Sequence, residues 1–342
     1  MRKIKIAQIG TSVFSHGLSV FDSLKKNSDI FEVVGYALPE KEREKFPDKI
    51  AWFDGYKEMT VEEILSDPQI EAVAIETEEI YLTKYALMAA KAKKHIHMEK
   101  PGGLSLSDFT QLINTVKANK TVFHTGYMYR YNPAIINLLK RIDRGELGDI
   151  ISVEAQMSCY HRPDCREWMN TFGSGGMLFF LGCHLIDLIY RICGKPENII
   201  PFTRSSGADG INSPDFGMAV YEYKNGVSFA KTTDCERGGF MRRQLVVTGT
   251  KETVEVKPLE VACGATSNYT EYRITNSTDW SAQGEKIRTE IFDRYDPMMR
   301  AFAEFVRGDR ENPYTCDYEL ELYKLILKSC EIKGENYESN TY

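Results

Sequence analysis

A lysine at a predicted strand end carries the clearest chemical signal in the sequence. The tripeptide Glu99-Lys100-Pro101 closes a short apolar run, KHIHME, and a helical pattern follows over residues 105–119. Ligands of open parallel sheets gather at the carboxyl ends of the strands. A lysine there can take the proton of an alcohol while hydride leaves the carbon for a nicotinamide ring, whose positive charge lowers the pKa of the lysine. Lys100 is therefore predicted to act as a general base.

A histidine in the second half of the chain is the other candidate for proton chemistry. His184 lies in the stretch Gly182-x-His184-x-x-Asp187, within an apolar helical pattern over residues 176–193. Histidine titrates near neutral pH, so it can hydrogen-bond a reacting hydroxyl or relay its proton. The alternative is a satisfied histidine inside a buried helix, and Asp187 is as well explained by structure as by catalysis.

The loop after the first predicted strand is typical of a phosphate site. Gly10 ends the run IKIAQIG and opens a helix, whose N–H groups and dipole favour a phosphate. The three-glycine dinucleotide pattern is incomplete, because Gly10 is followed by Ser12 and Ser15 at the other two positions. Taken alone, Gly10 is more often an ordinary strand-to-helix turn.

The end of the second predicted strand lacks the acid that usually binds the adenosine ribose. Leu38 occupies that position. Glu40, Lys41 and Arg43 follow, and they could contact a ribose or a 2′-phosphate or form a solvated helix start. We therefore expect the adenosine end of the cofactor to be held loosely and the protein to discriminate only weakly between NAD and NADP. Which of the two it uses stays open.

Alternating elements in the first third of the chain must position these residues. Short β-rich runs separated by single helices build a parallel sheet through right-handed crossovers. The sequence predicts an α/β fold that starts with a doubly wound, Rossmann-type dinucleotide-binding domain over residues 1–125. The strand patterns include IKIAQIG, FEVVGYAL, EAVAIET, KHIHME and TVFHTG, and helical patterns cover about 17–27, 60–66, 80–93 and 105–119.

The pattern of predicted elements changes after Gly126, where strand patterns become more frequent than helical ones. Short alternating runs joined by turns such as Lys224-Asn225-Gly226 are typical of hairpins in an antiparallel sheet. Residues 126–342 are therefore predicted to form an α+β domain with a mostly antiparallel open sheet, used for substrate binding and oligomerisation. Helical patterns cover about 132–144, 176–193, 296–308 and 317–332, and strand patterns cover about 151–157, 217–223, 226–233, 242–248, 252–256 and 268–274.

The segments around these motifs are similar to a known family. They are YALMAAKAKKHIHMEKP, TGYMYRYNPAIINLLKRIDRGELGDIISVEAQ and GGMLFFLGCHLIDLIYRICGKP. Here the chain resembles the Gfo/Idh/MocA oxidoreductases, named after glucose–fructose oxidoreductase, inositol dehydrogenase and MocA, which share a Glu-Lys-Pro sequence at this place. The resemblance covers most of the chain and is densest over residues 70–200. It implies a cis peptide bond between Lys100 and Pro101.

The resemblance also implies roles for individual residues. Lys100 corresponds to the lysine near the nicotinamide and the reacting hydroxyl, and His184 to the histidine of the catalytic set. Many members carry an aspartate four residues before this histidine, whereas this chain has Phe180. Either Lys100 and His184 suffice, or a tyrosine such as Tyr129 or Tyr160 contributes, or redox activity is weak or absent. The predicted cofactor-binding residues are Gly10, Ser12, Phe14, Ser15, Leu38, Thr77, Glu99 and Lys100.

Polar and aromatic residues early in the second domain suggest a sugar or polyol site. Aromatic faces cover the apolar side of a pyranose ring, and Arg or His groups bind its hydroxyls. The segment from Cys159 to Trp168 is predicted to be a loop over the cleft, although Trp168 and Tyr160 could merely pack that loop. The predicted substrate-binding residues are Lys100, Tyr129, Arg130, Tyr160, Arg162, Trp168 and His184.

Length, charge and cysteine content argue against several other classes of protein. The 342 residues fit two domains, and 43 basic against 49 acidic residues give a net charge of -6, which disfavours nucleic acid and anionic membranes as partners. Scattered cysteines and the absence of a long apolar run indicate a soluble, cytoplasmic protein. Cys159, His161 and Cys165 match no usual zinc spacing, so no metal is predicted. A homodimer or homotetramer is expected from the resemblance.

Three functions are compatible with the sequence. The first is an NAD(P)-dependent dehydrogenase acting on a secondary alcohol of a sugar, inositol or glycoside. The second is cleavage of a glycosidic bond by transient oxidation with NAD, as in some relatives within the family. The third is a non-catalytic sugar or dinucleotide sensor, which Leu38, Phe180 and the two loop serines make credible, whereas Lys100 favours chemistry.

Overall fold

A computed structural model describes residues 2–12 and 14–333 of the chain. The described residues divide into two compact units. The first combines residues up to Tyr127 with Tyr295–Tyr323, and the second combines Met128–Arg294 with Lys324–Lys333.

The first unit is built on a six-stranded sheet in which every pair of neighbours is parallel. The strand order β3-β2-β1-β4-β5-β6 is that of a doubly wound nucleotide-binding sheet. Strands β1 and β4 are almost entirely buried, as expected where helices cover both faces of a sheet. The elements are β1 Ile4–Ile9, α1 Gly17–Lys26, β2 Phe31–Ala37, α2 Glu42–Lys45, β3 Lys57–Glu58, α3 Val61–Ser66, β4 Ala72–Ile75, α4 Leu82–Lys91, β5 His95–Met98, α5 Leu106–Asn119 and β6 Phe123–Thr125.

The second unit is built on an eight-stranded sheet that is antiparallel except where β7 and β10 pair in parallel. Its order is β16-β15-β12-β11-β7-β10-β9-β8, and β13, β14 and β17 form a small separate sheet. The predicted fold class is thus confirmed for both parts of the chain. The elements up to the last strand are α6 Pro133–Asp143, β7 Ile150–Gln156, α7 Pro163–Trp168, α8 Cys183–Cys193, β8 Asn198–Arg204, β9 Phe216–Tyr223, β10 Gly226–Thr233, β11 Gln244–Gly249, β12 Thr253–Val256, β13 Val261–Ala262, β14 Ser267–Tyr269, β15 Glu271–Thr275, β16 Glu285–Arg288 and β17 Phe292–Asp293.

Two helices follow the last strand, α9 Asp296–Arg307 and α10 Cys316–Ser329. The predicted division of the chain after residue 125 did not anticipate that α9 belongs to the first unit. Asp296, at the start of α9, accepts hydrogen bonds from Ser23 Oγ at 2.7 Å and Asn27 Nδ2 at 3.2 Å. These contacts join α9 to the end of α1, a long-range pairing that no local pattern reveals.

One of two predicted elements around residues 159–193 is wrong in detail, because the predicted loop contains α7. The predicted helix over 176–193 is present as one helical segment, in which Leu178–Gly182 form a π-helical turn ahead of α8. Gly176 precedes the turn with φ 41°. A Cβ there would lie 2.1 Å from the carbonyl oxygen of Pro214, so only glycine fits.

No single helix in the described part of the chain has the length and apolar character to cross a membrane. One strongly bent pair, Pro163–Gly175 with Leu178–Cys193, meets those criteria only when its two members are taken together.

Candidate active site

The turn after β1 brings the first predicted cofactor residue against the end of β4. Gly10 has φ 92°, and a Cβ at this position would lie 2.4 Å from Thr77 Cγ2. Its N–H donates to the carbonyl oxygen of Ala37 at 2.7 Å, which ties the turn to the end of β2. The carboxyl ends of β1, β2 and β4 therefore meet at one sheet edge, where dinucleotides bind in this class of fold.

Lys100 lies at the same edge, directly after β5, and only 1% of its surface is exposed. Its Nζ is 3.4 Å from Glu99 Oε1, and both side chains are 2% exposed. A buried lysine needs a paired charge, and Glu99 supplies one. The peptide bond between Lys100 and Pro101 is cis, which confirms that prediction.

Two buried acids follow β4 and face the same region. Glu76 and Glu79 are fully buried. Burial raises the pKa of Glu79 to about 8, against the opposing charge of Lys100. The pKa of Glu76 is raised well above its usual range by burial and by the charges of Glu99 and Glu79. The edge therefore holds an acidic, desolvated cluster around Lys100.

A third buried acid, Glu42, contacts the loop after β1. The Thr11 N–H donates to Glu42 Oε2 at 3.0 Å. Burial raises the pKa of Glu42 to about 8, although the Thr11 hydrogen bond opposes the shift. Lys49 Nζ donates to the carbonyl oxygen of Ser12, so one amine also lies at this loop.

The other predicted cofactor residues have different surroundings. Ser12 Oγ donates to Glu79 Oε2 at 3.4 Å, whereas Phe14 and Ser15 are half-buried in the loop before α1. Leu38 packs against the aromatic cluster of Phe21, Tyr36 and Phe53. Contact of each with a cofactor stays a prediction.

The residues at this edge fit a dinucleotide. Within residues 2–12 and 14–333, Thr11 Oγ1, Ser15 Oγ, Glu42 Oε1 and Glu79 Oε1 are buried without a hydrogen-bond partner. Buried polar groups are normally satisfied, and the hydroxyl and amide groups of a dinucleotide would satisfy these. The first turn of α1, which is fully described, carries no acidic residue and so favours a pyrophosphate.

In the second unit, Arg130 is committed to a buried ion pair. Its Nε and Nη2 donate to Asp187 Oδ2 and Oδ1 at 2.9 and 2.7 Å, and the side chains are 1% and 2% exposed. This bidentate geometry fixes the short helix Met128–Tyr131 to α8, one turn after His184. The structure thus gives Arg130 a positioning role, and substrate contact by Arg130 stays a prediction.

Tyr129 and His184 lie side by side in the same unit. Their ring centroids are 5.1 Å apart at an interplanar angle of 85°, and both residues are buried. The Tyr129 hydroxyl donates to Glu260 and accepts from Arg243 Nη1 at 3.2 Å. Burial and the charge of Glu260 raise the pKa of Tyr129, which therefore stays protonated at neutral pH. A buried network that the sequence did not reveal thus supports the face of Tyr129 that contacts His184.

Phe180 packs with aromatic residues rather than supporting His184. Its ring lies 5.3 Å from Trp168 and 6.2 Å from Phe172, between centroids. Tyr160 is 41% exposed, with Arg237 lying over its ring at 4.5 Å. Arg162 is exposed and pairs with Asp164 at 2.9 Å. Substrate contacts by Trp168, Tyr160 and Arg162 stay predictions.

One group of residues in the second unit has metal-ligand chemistry. Ligand atoms of Asp215, Asp234 and Cys235 lie within 4.8 Å of one another. Arg166, which is fully buried, donates from Nη1 to Cys235 Sγ at 3.3 Å and so places a positive charge within the group. This charge balances the carboxylates and would oppose a metal ion.

Sequence reasoning missed four buried acids, Glu42, Glu76, Glu79 and Glu260. For Glu76 and Glu79 a signal was present, because both follow a strand whose carboxyl end belongs to the predicted site. For Glu42 and Glu260 no local pattern distinguishes them from solvated acids.

Comparison with known proteins identifies the family. The NAD-binding Rossmann-fold model of the oxidoreductase family matches residues 4–127. The model of the GFO/IDH/MocA C-terminal domain matches residues 135–255. The chain therefore belongs to the Gfo/Idh/MocA oxidoreductase family, and its first part is an NAD-binding Rossmann domain.

Individual relatives are distant. The chain is 28% identical over 145 residues to the uncharacterized oxidoreductase YhhX of Escherichia coli, which covers 42% of this chain and 41% of YhhX. It is 24% identical over 253 residues to 1,5-anhydro-D-fructose reductase of Ensifer adhaerens, covering 73% of each. The structure of KijD10, a 3-ketoreductase from Actinomadura kijaniata in complex with NADP and TDP-benzene, has a TM-score of 0.77 at 16% identity and covers 97% of this chain and 98% of KijD10. That likeness shows the shared fold.

Proposed function

We propose that this protein transfers hydride between a secondary alcohol of a sugar, inositol or glycoside and a nicotinamide cofactor. The observation that carries the proposal is Lys100, a buried amine 3.4 Å from the Glu99 carboxylate at the strand-end edge of an NAD-binding domain. A purely structural lysine rarely occupies a buried position beside the ligand edge of such a sheet.

Lys100 can carry out the proton transfer that accompanies hydride transfer. When bound, the nicotinamide supplies the acceptor or donor of hydride. In the oxidation, Lys100 Nζ takes the hydroxyl proton while hydride leaves the carbon that bears the hydroxyl, so a carbonyl forms. Glu99 then stabilises the ammonium group. In the reduction, Lys100 returns the proton to the forming alkoxide.

His184 is the proposed assisting residue. Its ring packs perpendicular to that of Tyr129, whose hydroxyl is bound by Glu260 and Arg243. This support does not depend on an aspartate at position 180, which offers a reason why Phe180 is compatible with activity.

A sugar or polyol substrate is supported by two kinds of evidence. Related proteins include a reductase of 1,5-anhydro-D-fructose and a 3-ketoreductase. Trp168, which is partly exposed and packs at a steep angle against Phe172 and Phe180, offers apolar surface of the type that covers one face of a sugar ring.

A cofactor titration followed by a substrate panel tests the proposal. Quenching or enhancement of NADH and NADPH fluorescence measures binding, and the panel pairs NAD(P) with sugars, inositols and glycosides, and NAD(P)H with keto sugars. We expect absorbance changes at the reduced-nicotinamide band for members of one stereochemical series. Cofactor binding without turnover of any panel member would favour a sensor, and release of an aglycone without net cofactor reduction would favour glycoside cleavage.

A further inference from the structure

The position that normally carries the ribose-binding acid is occupied by an apolar residue that packs against neighbouring aromatic rings. Leu38 follows β2 directly and packs against the cluster of Phe21, Tyr36 and Phe53. It can neither accept a hydrogen bond from a ribose hydroxyl nor repel a 2′-phosphate. If the cofactor is selected at this end, another residue must select it.

Glu42 is a buried acid that follows β2 and contacts the loop after β1. It lies four residues after Leu38, in α2, and its carboxylate contacts the first residue after Gly10, with 3.0 Å between Thr11 N and Glu42 Oε2. The residue is 0% exposed. Its other oxygen, Oε1, has no hydrogen-bond partner within the described ranges 2–12 and 14–333. One acceptor is thus engaged by the loop, and the other is a buried acceptor that a ligand hydroxyl entering this edge would satisfy.

The backbone that places Glu42 is unusual. Glu40 and Lys41 both have left-handed φ values, 58° and 59°. Non-glycine residues in this region are strained and persist only where surrounding contacts impose them. Here Glu40 accepts hydrogen bonds from Lys84 Nζ at 2.5 Å and Tyr85 Oη at 2.7 Å. The turn that directs Glu42 toward the loop is therefore held by specific contacts.

We infer that Glu42 is the residue that selects the adenosine ribose, so that this protein prefers NAD(H) to NADP(H). When Glu42 is ionised, its second oxygen accepts a hydrogen bond from a 2′-hydroxyl, whereas a 2′-phosphate presents only acceptors and negative charge to it. This inference rests on the nicotinamide cofactor of the proposed function and replaces the expectation of weak discrimination drawn from Leu38.

Three basic residues around this segment are already paired with acids, while Lys41 is exposed. Arg43 is paired with Glu58, Lys45 with Glu78 at 2.7 Å, and Lys84 with Glu40 at 2.5 Å. A 2′-phosphate would have to compete with these carboxylates for the three paired cations. NADP-binding sites instead offer an arginine to the phosphate.

Glu42→Gln is the variant that tests the inference. The glutamine side chain has the same length, and its amide oxygen can still accept the Thr11 hydrogen bond, so the loop should keep its structure. Glu44→Gln is the matched control, because Glu44 is an exposed residue of the same helix. Thermal unfolding of all three proteins checks that the fold is kept.

Calorimetric titration with NADH and NADPH gives the readout. The buffer should be more alkaline than the pKa of about 8 of Glu42, so that the carboxylate is ionised. We expect wild type and Glu44→Gln to prefer NADH by about tenfold or more, and Glu42→Gln to lose most of that ratio.

Three results would overturn the inference. A wild-type preference for NADPH, or a folded Glu42→Gln protein with an unchanged ratio, would show that Glu42 only caps the loop, while the proposed oxidoreductase function would stand. Binding of neither cofactor would contradict this inference and the proposed function together.

Discussion

His184 is a residue whose surroundings permit two roles, and one pair of variants separates them. We expect His184→Ala to lower turnover by about 10–10²-fold, as for a group that orients and assists rather than takes the proton first. His184→Phe should lower turnover to a similar extent, because it keeps an aromatic ring against Tyr129 but has no ring nitrogen. Steady-state turnover and thermal unfolding measure both effects. Full turnover in His184→Phe would show that only the packing of this ring matters.

Glu79 couples the stability of the first unit to pH. Its pKa is raised from 4.5 to about 8, so the folded chain holds a proton that the unfolded chain releases. The resulting stabilisation is complete below about pH 4.5 and is lost as the pH rises through about 8. We expect the free energy of unfolding to fall over this interval and to fall less in Glu79→Gln. Part of the slope should remain, since Glu42 is shifted in the same direction.

Urea unfolding at a series of pH values measures this slope. Glu62→Gln is a suitable control, because Glu62 is exposed on α3. Identical pH dependence in wild type and Glu79→Gln would contradict the assignment of the raised pKa to this carboxyl.

The attachment of the Met128–Tyr131 turn to α8 depends on one buried ion pair. Arg130→Met removes the guanidinium from the buried Asp187 carboxylate, and removing one partner of a buried ion pair typically costs about 3–5 kcal/mol. The exposed pair of Arg162 and Asp164 provides a matched control, and Arg162→Met should leave stability nearly unchanged. Urea unfolding midpoints compare the two. Equal midpoints in both variants would show that the buried pair does not hold α8.

Elements defined by local periodicity could be predicted from the sequence, and those defined by distant contacts could not. Most strands of both sheets and helices such as α5 and α6 follow from alternating or helical spacing of apolar residues, whereas β3, β8 and β16 were not predicted. The π-helical turn before α8 was not predicted, because an apolar run such as Leu178–Leu181 does not distinguish a π-helical from an α-helical turn. Gly176, at the start of this helix, lies against Pro214, a contact distant in sequence that no local pattern reveals.

The candidate site divides in the same way. Lys100 and Gly10 were predicted because strand ends are visible in the sequence and, for Lys100, because the Glu-Lys-Pro tripeptide resembles that of the family. The placement of Glu42 depends on two left-handed residues and on Lys84 and Tyr85, more than forty residues further along the chain. Side-chain networks of this kind are properties of the folded chain.

At the scale of the whole molecule, both parts of the chain match one oxidoreductase family. The first supplies an NAD-binding edge with a buried lysine, and the second supplies a histidine fixed by a buried network. The central claim is that these parts serve hydride transfer from an alcohol carbon rather than recognition alone.

Isotope transfer is the most direct test of this claim. The protein is incubated with NAD and perdeuterated sugars, inositols and polyols, and the reduced nicotinamide is examined by mass spectrometry. We predict deuterium in the reduced cofactor with wild type, and a rate of labelling lower by on the order of 10²-fold or more in Lys100→Met, where the general base is lost. Lys91→Met, at an exposed position of α4, should label like wild type. Wild type that binds both NAD and a sugar yet transfers no deuterium, or equal labelling by Lys100→Met, would contradict the account.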